Sequence, residues 1–213
     1  MDLHKLDLSD IQKLEKHYRA ALINSVSGVK SANLIGTKDR ENRTNLAIFS
    51  SVIHLGSNPA LLGFVQRPAS VERHTYENII QTERYTINAI HSGIIFQAHQ
   101  TSARYDRDES EFDETSLEAI YRDDFFAPFV KESPLQIAMH LEDVIPIKAN
   151  DTKLIIGSIQ ALYFQKDTQH EDGSLSLEKS DIVGITGLDT YMGLSKHIKL
   201  SYAKPDEPLK KLS

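Results

Sequence analysis

Hydrophobic positions along the chain follow two rhythms. In SDIQKLEKHYRAALIN, Ile11, Leu14, Tyr18, Ala21 and Leu22 recur three or four residues apart, and Ser9 followed by Gln12 forms a capping-box pattern. A helix over residues 9–25 is expected, with one face packed on the domain behind it. Farther on, the runs are short, apolar and rich in β-branched and aromatic residues: SANLIGTK (31–38), TNLAIFSSVIHL (44–55), ALLGFVQ (60–66), YTINAI (85–90), LQIAMHLEDVIPI (135–147) and TKLIIGSIQALYF (152–164). Each reads as a strand, and turn-forming stretches such as GSNP (56–59) and AND (149–151) separate neighbours. HTYENIIQT (74–82) predicts a helix with Thr75 at its start, while GIIFQAHQTS and TSLEAIYRD add helical segments between the fourth and fifth strands. The strands cluster instead of alternating with helices. That argues against a doubly wound parallel sheet and for a mainly β chain with some α, an antiparallel β-barrel with peripheral helices.

Length and charge narrow this further. With 213 residues, 40% of them hydrophobic, the chain suits a single soluble domain over 1–213, its barrel core at 30–165 and a Lys/Pro-rich tail at 200–213 lying on the surface. DRDESEFDE (106–114) is a local acidic run. A net charge of −6 and a pI near 5.8 argue against coating nucleic acid or an anionic membrane, although a local basic site for a small anion stays open. The absence of cysteine excludes disulfides, a thiol nucleophile and thiolate-held metal. The opening MDLHKLDLSD has no apolar signal region, and no run approaches the ~18 apolar residues of a membrane span, so cytoplasm is the expected compartment.

Several chemistries lack their motif. There is no G-x-S-x-G elbow, no phosphate loop and no G-x-G-x-x-G fingerprint, since Gly184, Gly187 and Gly193 in GITGLDTYMG are wrongly spaced. The nine histidines form no H-E-x-x-H pair, so no metal site is expected.

Two features do suggest chemistry. TNLAIFSSVIHL places two adjacent hydroxyls, Ser50 and Ser51, inside an apolar run. Arg67 directly follows a strand, and His74 and Thr75 stand where a helix begins, so a guanidinium, a hydroxyl and a helix N-terminus could converge on a phosphate. A capped surface helix beside a solvated arginine is the plainer alternative.

The ordered series Asn45, Ala47, Ser50, Pro59, Leu61 to Phe64, Arg67, Thr75, Asn78, Ile79 and Asn88 resembles the flavin reductase-like family, the split-barrel proteins that bind flavin mononucleotide (FMN). The likeness continues through HQTSARYDRDESEFDE, SPLQIAMHLE and DTKLIIGSI, covering residues 30–165. It implies a homodimeric split β-barrel holding one FMN without a covalent bond, with NAD(P)H as a transient co-substrate. It places the phosphate near Arg67, His74, Thr75 and Asn78, and the ring beside Asn45, Ser50, Ser51 and Val52, with Ser102 and Arg104 near the ring or ribityl chain. Successive strand residues face opposite ways, so only one of Ser50 and Ser51 can aim its side chain at the ring. No side chain is implied as a catalytic acid or base, because the chemistry is the flavin's. Two positions depart from the pattern. Thr82 to Tyr85 replaces a T-G-x-F segment, and Thr152 follows Asp151 where many relatives have histidine. An electron-transfer flavoprotein with a protein donor, and a flavin-free barrel acting as an interaction module, therefore stay open beside the reductase reading.

Overall fold

The structure, a computed structural model, describes residues 1–68, 71–195 and 198–212. In chain order its helices and strands are α1 (Leu8–Lys13), α2 (Lys16–Ser25), β1 (Lys30–Ser31), β2 (Asn33–Lys38), β3 (Thr44–Phe49), β4 (Ile53–Ser57), β5 (Ala60–Gln66), α3 (His74–Thr82), β6 (Arg84–Ala89), α4 (Ile95–Gln100), α5 (Glu111–Thr115), β7 (Ala119–Ile120), β8 (Phe129–Val130), β9 (Leu135–Ile147), β10 (Thr152–Phe164), β11 (Val183–Thr186) and β12 (Thr190–Gly193).

Seven of the strands form one antiparallel sheet in the order β3-β2-β6-β9-β10-β5-β4. Its edges, β3 and β4, are consecutive in the chain. Six inter-strand steps would put the edges of a flat sheet about 29 Å apart, whereas the three linking residues 50–52 reach roughly 10–14 Å. The sheet must curl so that its edges meet. The expected barrel follows from this connectivity.

Alternation along the strands fills two layers. Ile35, Phe64, Ile79, Tyr85, Ile87, Met139 and Ile155 make up the interior cluster, where Phe49, Phe64 and Tyr85 meet edge to face with centroids 4.9 and 5.8 Å apart. Leu34 and Leu46 point the other way, into a second cluster under α4, α5 and β11 that includes Ile90, Ala98, Phe112 and Ile185. TNLAIF is apolar on both faces because both faces are covered.

Some expectations are corrected. The N-terminal helix is two helices, α1 capped by Asp7 and α2 by Glu15, with Leu14 extended between them and no buried residue in either. Of the apolar stripe, Ile11, Leu14 and Leu22 are half-buried while Tyr18 and Ala21 are exposed, so the docking is partial. SANLIGTK is divided between β1 and β2, and TNLAIFSSVIHL breaks into β3 and β4 with both serines in the link. The barrel seam needs a crossing there, and the sequence carries no glycine or proline to announce it. TSLEAIYRD is not helical beyond its first residue, Thr115, which ends α5. Instead the acidic run holds α5, whose Glu111, Phe112 and Thr115 are buried. β11 and β12, unread in the sequence, form a separate small sheet in which β11 lies between β1 and β12. Among the described residues no helix is long and apolar enough to cross a membrane.

Candidate functional site

The link between β3 and β4 shows what one of the serines does. Ser51 Oγ accepts the Val65 N–H at 3.1 Å and donates to the Val65 carbonyl at 3.3 Å, so its side chain stands in for a strand partner until Ile53 takes up pairing with Gly63. Ser31 Oγ secures the same link by donating to the Val52 carbonyl at 3.2 Å. Ser51 is thus committed to the seam. The Ser50 hydroxyl has no hydrogen-bond partner among the described residues, and neither do the Ser51 and Val52 amides. A carbonyl-rich planar edge would meet those donors.

Across the seam, β5 ends at Gln66 and the chain returns into α3. The N-cap of α3 is Arg73, which makes no side-chain cap, unlike Asp7 and Glu15 on α1 and α2. The first-turn N–H groups are therefore left for an outside acceptor. Thr75 is buried and its Oγ1 accepts from Asn45 Nδ2 at 2.9 Å, so its own proton is free to be donated. Asn45 and Asn78 both also donate to Thr37 Oγ1, at 3.3 and 3.1 Å, tying α3 to β2 and β3.

Cationic groups gather at this helix start. Arg67 and Arg104 lie close enough to Arg73 to depress its pKa, after burial, the larger cause. Among the described residues none of the three guanidiniums has a carboxylate at ion-pair distance. Arg73 is instead oriented by the Pro68 carbonyl, which accepts from its Nε at 3.2 Å. His74 Nε2 lies 3.4 Å from Glu72 Oε2. Two buried acceptors are also left over: among the described residues Gln66 Oε1 and Asn78 Oδ1 have no partner, although the two are 5% and 2% exposed.

The structure thus brings Asn45, Thr75 and Asn78 into one hydrogen-bonded chain, and Arg67 and Arg104 into one electrostatic group. Ser102 is exposed in the turn after α4, where its N–H donates to the His99 carbonyl at 3.0 Å. Two contributors went unread in the sequence. Arg73 directly precedes the helix, and that position was its signal. Glu111, within the acidic run, accepts the Leu46 N–H at 2.9 Å and so holds α5 against the open edge of β3; burial pushes its carboxyl up. Nothing local distinguishes it from its acidic neighbours.

Taken together, the site offers unopposed guanidiniums, a free hydroxyl proton, uncapped helix N–H groups and idle buried acceptors beside a link with free donors. That donor set suits a phosphorylated planar ligand with both acceptor and donor edges, as FMN is. Among the described residues no cluster of side chains could hold a metal ion.

Comparisons with known proteins point to flavin-related proteins. A profile described as "Flavin reductase like domain" matches residues 28–180. A Shewanella frigidimarina structure described as a flavin reductase with a split barrel domain is 50% identical, with a TM-score of 0.91 over 94% of this chain and 100% of that one. The chain is also similar in fold to nitrilotriacetate monooxygenase component B from Bacillus cereus (18% identity, TM-score 0.81, 94% and 100% covered). Flavoredoxin of Desulfovibrio vulgaris is a third such structure (22% identity, TM-score 0.69, 84% and 92% covered). A search of curated proteins found no match. With seven antiparallel strands curled into a split barrel and the family profile spanning most of its length, the chain belongs to the flavin reductase-like domain family.

Proposed function

We propose that the chain is an FMN-dependent oxidoreductase that takes reducing equivalents from NAD(P)H and passes them to a small acceptor. The observation that carries this is the group of Arg67, Arg73 and Arg104 at an uncapped helix start, on a chain of net charge −6. Like charges without carboxylates repel one another, and a phosphate dianion among them relieves that repulsion. The helix N–H groups and the Thr75 hydroxyl would complete its shell, with Asn45 keeping Thr75 turned for donation. The Ser50 hydroxyl and the Ser51 and Val52 amides would hold the ring's polar edge, and Ser51 Oγ fixes the link that carries them. When bound, the flavin supplies the hydride and electron chemistry. An absorbance spectrum of the purified protein, followed by steady-state NADH and NADPH oxidation with added FMN, tests the proposal. A colourless protein that neither binds FMN nor oxidises either nucleotide would overturn it.

One observation favours a protein donor as a second reading. Thr152, where many relatives have histidine, turns its hydroxyl back to Asn150 Oδ1 at 2.7 Å within the β9–β10 turn, so no free side chain is presented there to a nicotinamide. FMN binding without nucleotide oxidation would select this reading.

The proposal includes a homodimer, and the outer face of the sheet supports it. Leu55 and Leu154 close over Gly63, and Ile53 and Ile145 on the same face are 47% and 44% exposed. An apolar sheet face of this kind needs a cover.

A further inference from the structure

The end of the described chain forms an arm. Ser201 N–H donates to the Lys210 carbonyl at 2.9 Å, Leu212 N–H donates to the Lys199 carbonyl at 2.7 Å, and Leu200 bridges Lys211. Alternation puts Ile198, Leu200 and Tyr202 on one face of this hairpin, and the register sets Leu209 opposite Tyr202 on that face. All four are exposed, Ile198 at 67% and Tyr202 at 89%. Apart from the ion pair of Lys199 with Asp172 and its hydrogen bond to Ser174, no hydrogen bond or ion pair ties residues 199–212 to the rest of the described chain.

An isolated two-stranded hairpin is at best marginally stable in water. This one also shows four large apolar side chains to solvent, so its face calls for a surface outside its own chain. Its charge points to which surface. The arm carries Lys199, Lys204, Lys210 and Lys211 against Asp206 and Glu207, whereas the whole chain is at −6; Lys199 is paired with Asp172 and Lys204 with Glu207, which leaves Lys210 and Lys211 for an outside acidic surface. The outer sheet face offers the complement: Ile53, Leu55 and Ile145 are exposed, with Asp143 exposed on the same face. We propose that the arm of each protomer lies across the outer sheet face of a second copy, apolar face down and Lys211, set opposite Leu200 on that face, toward Asp143, with the exchange reciprocal about a twofold axis.

This inference rests on the homodimer reading, and the test separates the two. Sedimentation of the full-length chain is compared with that of the variant Leu200→Asp with Tyr202→Asp, whose replaced side chains touch no part of the core. The expected result is a dimer whose self-association weakens by roughly two powers of ten in the variant, since two buried apolar contacts are exchanged for charges. A second measurement is independent of variant stability. The chain has no cysteine, so Tyr202→Cys combined with Ile145→Cys should, on oxidation, give a covalent species of twice 24.0 kDa that neither single variant forms. A monomeric full-length chain would sink the dimer reading itself. An unchanged dimer in the charge variant without the crosslink would overturn the arm exchange alone. So would arm-dependent binding to phosphatidylserine vesicles with self-association unaffected.

Discussion

Asp39 closes the turn between β2 and β3 by collecting three donors on one carboxylate. The N–H groups of Glu41 and Arg43 reach Oδ1 at 2.9 Å each, and Arg43 Nε reaches Oδ2 at 2.7 Å. Burial alone would raise its pKa, but the hydrogen bonds and the charge of Arg43 outweigh it and hold the carboxyl below its ordinary 3.8. Because the folded pKa lies below the unfolded one, the stabilisation is fully present above 3.8 and is lost as pH falls through the folded value. Asp39→Asn should therefore cost about 1–2 kcal/mol at neutral pH, with little from the half-exposed Arg43 pair itself. The difference should shrink in melts below pH 3.8. At the site, Arg67→Ala should weaken FMN binding by roughly one to two powers of ten, at about 1.5–3 kcal/mol for a charged hydrogen bond, and barely alter the ring's spectrum. Ser50→Ala should shift the spectrum or reduction potential, while Ser51→Ala should instead loosen the β4–β5 seam and lower the melting temperature. If Ser51→Ala leaves stability untouched, the seam role assigned to it is wrong. Alternation showed that the two serines must divide their roles, but not which takes which. That depends on the register across the seam, which only the closed barrel sets. The places of Arg67 and Thr75 were legible because a strand end and a helix start are local signals, whereas Asn78 was singled out only by the family resemblance. Glu111 was not, because its partner Leu46 is far away in sequence.

At the scale of elements, β10 is legible nearly to the residue, yet its most constrained position is hidden. Gly157 sits at a register shift between β9 and β10, and a Cβ there would meet the Tyr85 hydroxyl and lie 2.8 Å from the His140 carbonyl. Gly157→Ala should cost about 1–3 kcal/mol through overpacking, measurable by urea denaturation. The buried Tyr85 hydroxyl has no partner among the described residues, so Tyr85→Phe should be close to neutral. Because that hydroxyl is the atom in the way, the double variant should be more stable than the sum of the singles implies. Additive losses would show that the backbone carbonyl, not the tyrosine, sets the constraint. The β5, α3, β9 and β10 segments were bounded well by periodicity and turn residues. The N-terminal helix was not, since its apolar stripe is only partly covered, and β11 and β12 escaped notice because four-residue strands carry too little pattern.

For the whole molecule, the decisive property is where charge and uncovered apolar surface fall. An acidic chain concentrates three unopposed arginines at one helix start and leaves an apolar sheet face open on another side. The barrel class could be read from strand clustering, whereas these juxtapositions come from long-range topology and were visible only in part. Sedimentation at micromolar concentration should give a dimer, and a stable species of 24.0 kDa would contradict it. The central claim is that the arginine group holds the phosphate of a flavin, and calorimetric titration of the flavin-free protein with FMN and with riboflavin tests it most directly. The two ligands share the ring and ribityl chain and differ only in the phosphate. The account predicts that FMN binds tighter by roughly two powers of ten or more. Equal affinity for FMN and riboflavin would contradict it.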